Sequence, residues 1–260
     1  MLTAEQIKAN LEEFYAIIEQ HIAEPRKSQL LKLYKDQEEL LAFAPASSRA
    51  SFHNSFPGGY VDHINRVINC AIDMHNLWKL SGARTESYTM EELVFSALNH
   101  DLGKLGINGE PRYIPNDSEW HVKNQGANYK PNTKLQFLPV QDNSLFILQS
   151  NNIPTTLNEY IAIKIHDGLY DDGNKAYLIS GQNESKLRSC LPLVLHQADM
   201  MASRIEWERE WLDKVNEGPA KVKETPKPTT YTKPAAAQAA KLKAIGSKNS
   251  MSFVNALKNI

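Results

Sequence analysis

Phe95-Ser96-Ala97-Leu98-Asn99-His100-Asp101-Leu102-Gly103-Lys104 sets an apolar run directly ahead of an imidazole and a carboxylate. A glycine that stops a helix and a lysine able to reach a phosphate come next. The run starts at Thr89 and Glu92, whose spacing is that of a capping box, so a helix is expected from Thr89 to about His100. Thr3 with Gln6 and Thr156 with Glu159 carry the same signal. Ile7, Leu11, Phe14, Ile18 and Ile22 repeat at helical spacing, so a first helix is expected from Thr3 to about His21. Further helices are expected over Lys27–Phe43, over Tyr60–Leu80 after the turn Pro57-Gly58-Gly59, from Thr156 to Asp167-Gly168, and from Lys186 to about Val215 with Pro192 near its start. Residues 103–155 are rich in Gly, Pro, Asn and Asp and read as loops with short helices, one of them capped by Asp117 ahead of Ser118-Glu119-Trp120-His121. Strand alternation does not recur, so the body is expected to be all-α.

The chain has 260 residues, with 29 Lys plus Arg against 30 Asp plus Glu. The balance hides an asymmetry. Residues 218–260 hold eight lysines, no arginine and one glutamate, so they carry +7 and leave −8 on the other 217 residues. An acidic body is a poor platform for a long duplex, where phosphate neutralisation dominates affinity. It suits a metal site and a small or single-stranded substrate better. Two cysteines, Cys70 and Cys190, exclude a disulfide scaffold or a Cys-built zinc site. With a charged start and no long apolar run, the expectation is a cytoplasmic protein without a membrane span. Three segments are expected: a helical 1–43 packed on the body, a body over 44–217, and a flexible Lys/Pro/Ala-rich tail over 218–260. Phe253, Leu257 and Ile260 would share one helical face, so residues 246–260 read either as a frayed terminus or as a peptide that docks on a protein partner.

The chemistry-bearing residues fall near helix ends. His63 lies in the first turn of the third helix, His100-Asp101 closes the next, His166 ends another, and His196 and Asp199 share a face of the last long helix. Imidazoles and carboxylates are the ligands expected for Mn, Fe, Ni, Zn or Mg. One such residue per helix is how a bundle builds a metal centre. Taken alone, each histidine reads more readily as a satisfied core residue than as a ligand.

Three phrases, Pro57-Gly58-Gly59-Tyr60-Val61-Asp62-His63, His100-Asp101-Leu102-Gly103-Lys104 and Leu195-His196-Gln197-Ala198-Asp199-Met200, occur in an order that resembles the HD-domain metal-dependent phosphohydrolases. The resemblance spans about residues 44–212. Ala44-Pro45-Ala46, His53 and Gly58-Gly59 are similar to the corresponding segment of the HD-domain 3′-to-5′ exoribonuclease group, although helical residues stand where that group carries an OB-type module. The long irregular segment 106–155 is similar to a form met in proteins of large tailed phages. The family implies an HD-domain helical bundle, one or two divalent ions, and ligands at His63, His100, Asp101 and Asp199. It also implies cleavage of a phosphate ester by a metal-activated hydroxide.

The two-ion form needs two further histidines. His166 fits one, His121 is the candidate for the other, and His196 competes as a ligand, a catalytic residue or a phosphate contact. Asp101 would bridge both ions. Lys104 would add a cation at the phosphate, and Arg66, Arg204 and His53 are candidate substrate contacts, with ordinary surface salt bridges as the alternative for the arginines. Asp62, Asp73 and Asp167 are candidates to orient ligand imidazoles. Tyr113, Tyr129 and Tyr170 are candidates to line a base pocket. The expected substrate is a nucleotide or short single-stranded oligonucleotide. A 3′-to-5′ exonuclease, a cyclic-nucleotide phosphodiesterase, and a catalytically idle adaptor that recruits a partner through its tail are the alternatives.

Overall fold

A computed structural model describes residues 2–212 of the chain. The 218–260 tail and its 246–260 peptide lie outside the described residues. Ten α-helices are described: α1 (Ala4–His21), α2 (Arg26–Lys35), α3 (Glu38–Phe43), α4 (Gly59–Leu80), α5 (Met90–Asn99), α6 (Glu119–Gln125), α7 (Val140–Ser150), α8 (Leu157–Lys164), α9 (Lys175–Leu178) and α10 (Leu191–Trp207). All three capping boxes form, at the starts of α1, α5 and α8.

Helix α4 is the hub and packs on α1, α3, α5 and α10. Its partner α10 runs along it, with Trp78 Nε1 donating to Gln197 Oε1 at 2.8 Å. Phe14, Ile18, Leu30, Tyr34, Ile64 and Phe95 are fully buried in one core that draws on α1, α2, α4 and α5. Leu191, Val194, Leu195, Ala198 and Ala202 bring the inner face of α10 to it. No helix among the described residues is long and apolar enough to cross a membrane.

Five sequence expectations need correction. The helix expected over Lys27–Phe43 breaks at Asp36-Gln37 into α2 and α3. Leu30, Leu33 and Tyr34 form a buried stripe, and Gln37 falls where that stripe would next need an apolar residue. The chain bends there and turns Leu41 inward. The helix expected from Lys186 begins at Leu191, because the Pro192 ring lacks the N–H that a longer helix would use, and proline belongs in a first turn. Helix α8 ends at Lys164, a turn before Asp167-Gly168. The 103–155 segment also holds an antiparallel pair of three-residue strands, β1 (Tyr113–Pro115) and β2 (Tyr129–Pro131), so the body is helical with one small ribbon. Its α6 is capped by Ser118, while Asp117 instead pairs with Lys130 at 2.6 Å.

A buried ion cluster joins α2, α5 and α8. Arg26 Nη1 lies 2.8 Å from each oxygen of Glu159, its Nη2 lies 2.6 Å from Glu91, and its guanidinium sits 4.4 Å over the Phe95 ring. Glu159 has no solvent exposure, so removing its partner strands a charge. Arg26→Ala is expected to destabilise the fold by about 3–5 kcal/mol in urea unfolding. The Arg26→Met, Glu159→Met double variant is expected to lose less. A double variant at least as unstable as the single one would contradict this account.

Candidate metal centre

The His-Asp turn is clamped from α7. Helix α5 ends at Asn99, His100 caps it, and residues 102–105 form a 3₁₀ turn. Ser144 Oγ donates to the His100 carbonyl at 3.0 Å and accepts from the Gly103 N–H at 2.8 Å. Asn143 Nδ2 donates to the Gly103 carbonyl at 2.8 Å. A Cβ on residue 103 would stand 2.2 Å from the Val140 carbonyl oxygen, so glycine is required there by the approach of α7.

This turn delivers Asp101 to the centre of a ring of imidazoles. His63 from α4 places Nε2 3.2 Å from Asp199 Oδ1 and 3.6 Å from Asp101 Oδ2. His100 Nε2 is 3.4 Å from Asp101 Oδ2 and 3.9 Å from Asp199 Oδ1. His166, just past α8, places Nε2 3.6 Å from the other oxygen, Asp101 Oδ1. Lys104 Nζ closes on Asp101 Oδ2 at 2.5 Å. His63 and His100 are fully buried, and Asp101 and His166 nearly so.

Each imidazole is aimed by its second nitrogen. His100 Nδ1 donates to the Ala97 carbonyl and His166 Nδ1 to the Ile163 carbonyl, both at 2.8 Å. His63 Nδ1 lies 3.1 Å from both oxygens of Glu206 on α10. The Nε2 atoms of His63 and His100 are buried and have no hydrogen-bond partner. Buried imidazole nitrogens facing two carboxylates, able to give up a proton to an incoming ion, are the donor set a divalent ion takes. The groups His63, His100, Asp199 and His100, Asp101, His166 each bring ligand atoms within 4.8 Å of one another. They could hold a metal ion.

The charges are strongly coupled. Burial alone would raise the Asp101 carboxyl, but Lys104, His100 and His166 hold it well below the usual carboxylate range. Burial acts the same way on Asp199, and His63 and His100 outweigh it. Burial alone would lower His63 and His166. Glu206 and Asp199 hold His63 up at about 10, and Asp101 and Asp167 hold His166 up at about 9. Without a metal, then, the interior carries extra protons where an ion would sit.

The cluster opens into a cavity of about 470 Å³ that is bordered by Lys104, His53, His196, Tyr113, Tyr170 and Arg204. His196 Nδ1 donates to the His166 carbonyl at 2.7 Å. Its ring packs so closely over Gly168, at φ +59°, that a Cβ there would meet Nε2 at 2.4 Å. The His53 ring lies 4.7 Å from the His63 ring. Burial, with His63 and Lys104 nearby, pushes His53 well below its ordinary value, so it is a neutral imidazole rather than a stored proton. Arg204 is exposed at the mouth and donates to the Tyr170 hydroxyl at 3.3 Å.

Of the residues expected as ligands, His63, His100, Asp101, His166 and Asp199 come together. His121 does not. It is exposed on α6, a helix that buries no side chain, and its Nδ1 pairs with Ser118 Oγ at 2.6 Å. Of the two readings open for Arg66, a phosphate contact or an ion pair, the structure has the ion pair: its Nη1 is held by Asp62 at 2.8 Å and Glu206 at 2.6 Å, on the far side of His63. Asp62 orients no imidazole; it serves Arg66, Asn54 and Asn10. Asp73 is exposed. Asp167 Oδ1 lies 3.6 Å from His166 Nε2. The residue missed in the sequence is Glu206. It lies seven positions, two helical turns, beyond Asp199 and so shares its face, a signal hidden by the charged run Glu208-Arg209-Glu210 that follows.

Family models, curated proteins and solved structures were compared with the chain, and none matches it.

Two outcomes are expected. Glu206→Gln weakens the carboxylate behind His63 and should lower divalent-metal affinity about 10–100-fold in a metal titration, while unchanged affinity would remove Glu206 from the centre. Because His63 and His166 are raised, the stability they give the metal-free protein is full below the ordinary imidazole value of 6.5 and is lost as pH rises toward about 9 to 10. An ion competes with those protons, so the melting-temperature gain from added Mn should grow with pH over that window. A gain that shrinks over the window would contradict the assignment.

Proposed function

We propose that the chain is a divalent-metal-dependent phosphohydrolase of the HD type, acting on a phosphate ester of a nucleotide or short oligonucleotide. The observation that carries this reading is the meeting of His63, His100, Asp101 and Asp199 beside a cavity that Asp101, Asp199, His166, Lys104 and Arg204 line. Those four residues would hold one ion. His166 and the second oxygen of Asp101 offer two ligands to another, fewer than the three usual for a catalytic ion, so a second ion would be held more weakly. A bound ion here supplies Lewis acidity and lowers the pKa of water.

The side chains supply the rest. Lys104 is half-buried at the cavity wall, and Asp101 raises it against the lowering effect of burial, so it presents a fixed cation to a phosphate. Arg204 offers a planar fork at the mouth, matched to phosphate oxygens. His196 holds its Nδ1 proton on the His166 carbonyl, which leaves Nε2 to accept or return a proton at substrate. The volume of about 470 Å³ suits a nucleotide-sized ligand rather than a folded macromolecule.

Release of phosphate or nucleotide is to be assayed with Mn over nucleoside mono- and triphosphates, cyclic nucleotides and single-stranded RNA, alongside elemental analysis. Dialysed wild type should retain close to one ion per chain. Asp101→Ala should lose both the ion and turnover, by more than the roughly 10–100-fold of an outer-sphere change. Full activity in Asp101→Ala on any substrate would overturn the reading.

A further inference from the structure

A second cleft adjoins the first. It has a volume of about 330 Å³, and Lys104 and Tyr113 border both. Their shared wall makes the two spaces neighbours across one cation and one aromatic ring. The cleft is otherwise walled by Phe43 and Leu40 from α3, by Tyr129 from β2, and by prolines that include Pro45, Pro57 and Pro111. Proline has no N–H to donate, and Leu40 and Leu105 offer no polar side-chain atom, so besides Lys104 the polar side-chain groups of the lining are the Glu39 carboxylate and the tyrosine hydroxyls. A second phosphate placed there would meet the like charge of Glu39. A flat base stacks its apolar faces on aromatic side chains, and Glu39 and the tyrosine hydroxyls are the groups available to the polar atoms on its edge. Phe43 is 58 % exposed at the end of α3, an aromatic ring turned to solvent although the core is next to it.

We infer that the Phe43–Tyr129 cleft is the subsite for the substrate's aromatic base, joined through Lys104 to the cavity that receives the phosphate. This inference rests on the phosphohydrolase reading for the role of Lys104 and narrows it to substrates that carry a nucleobase. Phe43 and Tyr129 are positioned to set specificity, and the reacting bond stays at the imidazole cluster.

The test is titration calorimetry of the Mn-loaded full chain with adenosine 5′-phosphate and with ribose 5-phosphate, two probes that differ only in the base. Wild type should bind the nucleotide roughly tenfold or more tightly than the sugar phosphate, the scale of one base stacked on an aromatic ring. Phe43→Ala should erase most of that preference, and Phe43→Trp should keep it. Tyr129→Leu is the second probe and should reduce the preference in the same way. Equal affinities in wild type, or a preference that survives both Phe43→Ala and Tyr129→Leu, would overturn the inference. Turnover is read separately. A base preference lost in Phe43→Ala with no hydrolysis of any ester upholds the cleft and sinks the phosphohydrolase reading. Hydrolysis without a base preference does the reverse.

Discussion

Two carboxylates, the buried Asp101 and the half-buried Asp199 at the cavity edge, sit among three imidazoles and an ammonium. An unpaired carboxylate in that position would cost several kcal/mol, so the surrounding cations are a condition of folding as well as a source of chemistry. Almost every other feature of the body serves that condition. Helix α4 brings His63, α5 brings His100 and Asp101, the end of α8 brings His166, and α10 brings Asp199 with Glu206 behind it. Helix α7 contributes no ligand and is still essential to the geometry, because Asn143 and Ser144 fix the turn that carries Asp101.

The aim of the imidazoles matters as much as their number. Backbone carbonyls and Glu206 occupy the Nδ1 positions, which forces Nε2 inward. Arg66 then balances Glu206 from the far side, with Asp62 completing the chain. The result is layered: ligands, a carboxylate that orients one of them, and an arginine that neutralises that carboxylate. The outermost pair, Arg66 and Asp62, is half-buried, and there water begins to screen the charge.

Much of this was legible in the sequence. The capping boxes at Thr3, Thr89 and Thr156 are local signals and mark where α1, α5 and α8 begin. His63, His100, Asp101 and Asp199 were identifiable from the three phrases at 57–63, 100–104 and 195–200 and the resemblance they carry, and His166 from its place at a helix end. The misses are long-range in origin. His121 has the right residue type and a helix start, yet nothing in its neighbourhood shows that α6 has no apolar face to bury. Arg66 and a phosphate contact look alike until Glu206, 140 positions away, is seen to claim the guanidinium. The break at Asp36-Gln37 depends on where the core lies, and the β1–β2 ribbon is too short to show alternation.

The central claim is that the open Nε2 atoms mark a metal position. Anomalous diffraction from crystals grown with Mn and measured on both sides of its absorption edge tests this most directly. The account predicts a dominant peak within bonding distance of His63 Nε2, His100 Nε2 and the carboxylates of Asp101 and Asp199. A fully ordered cluster with no peak there, and Mn confined to surface carboxylates, would contradict it.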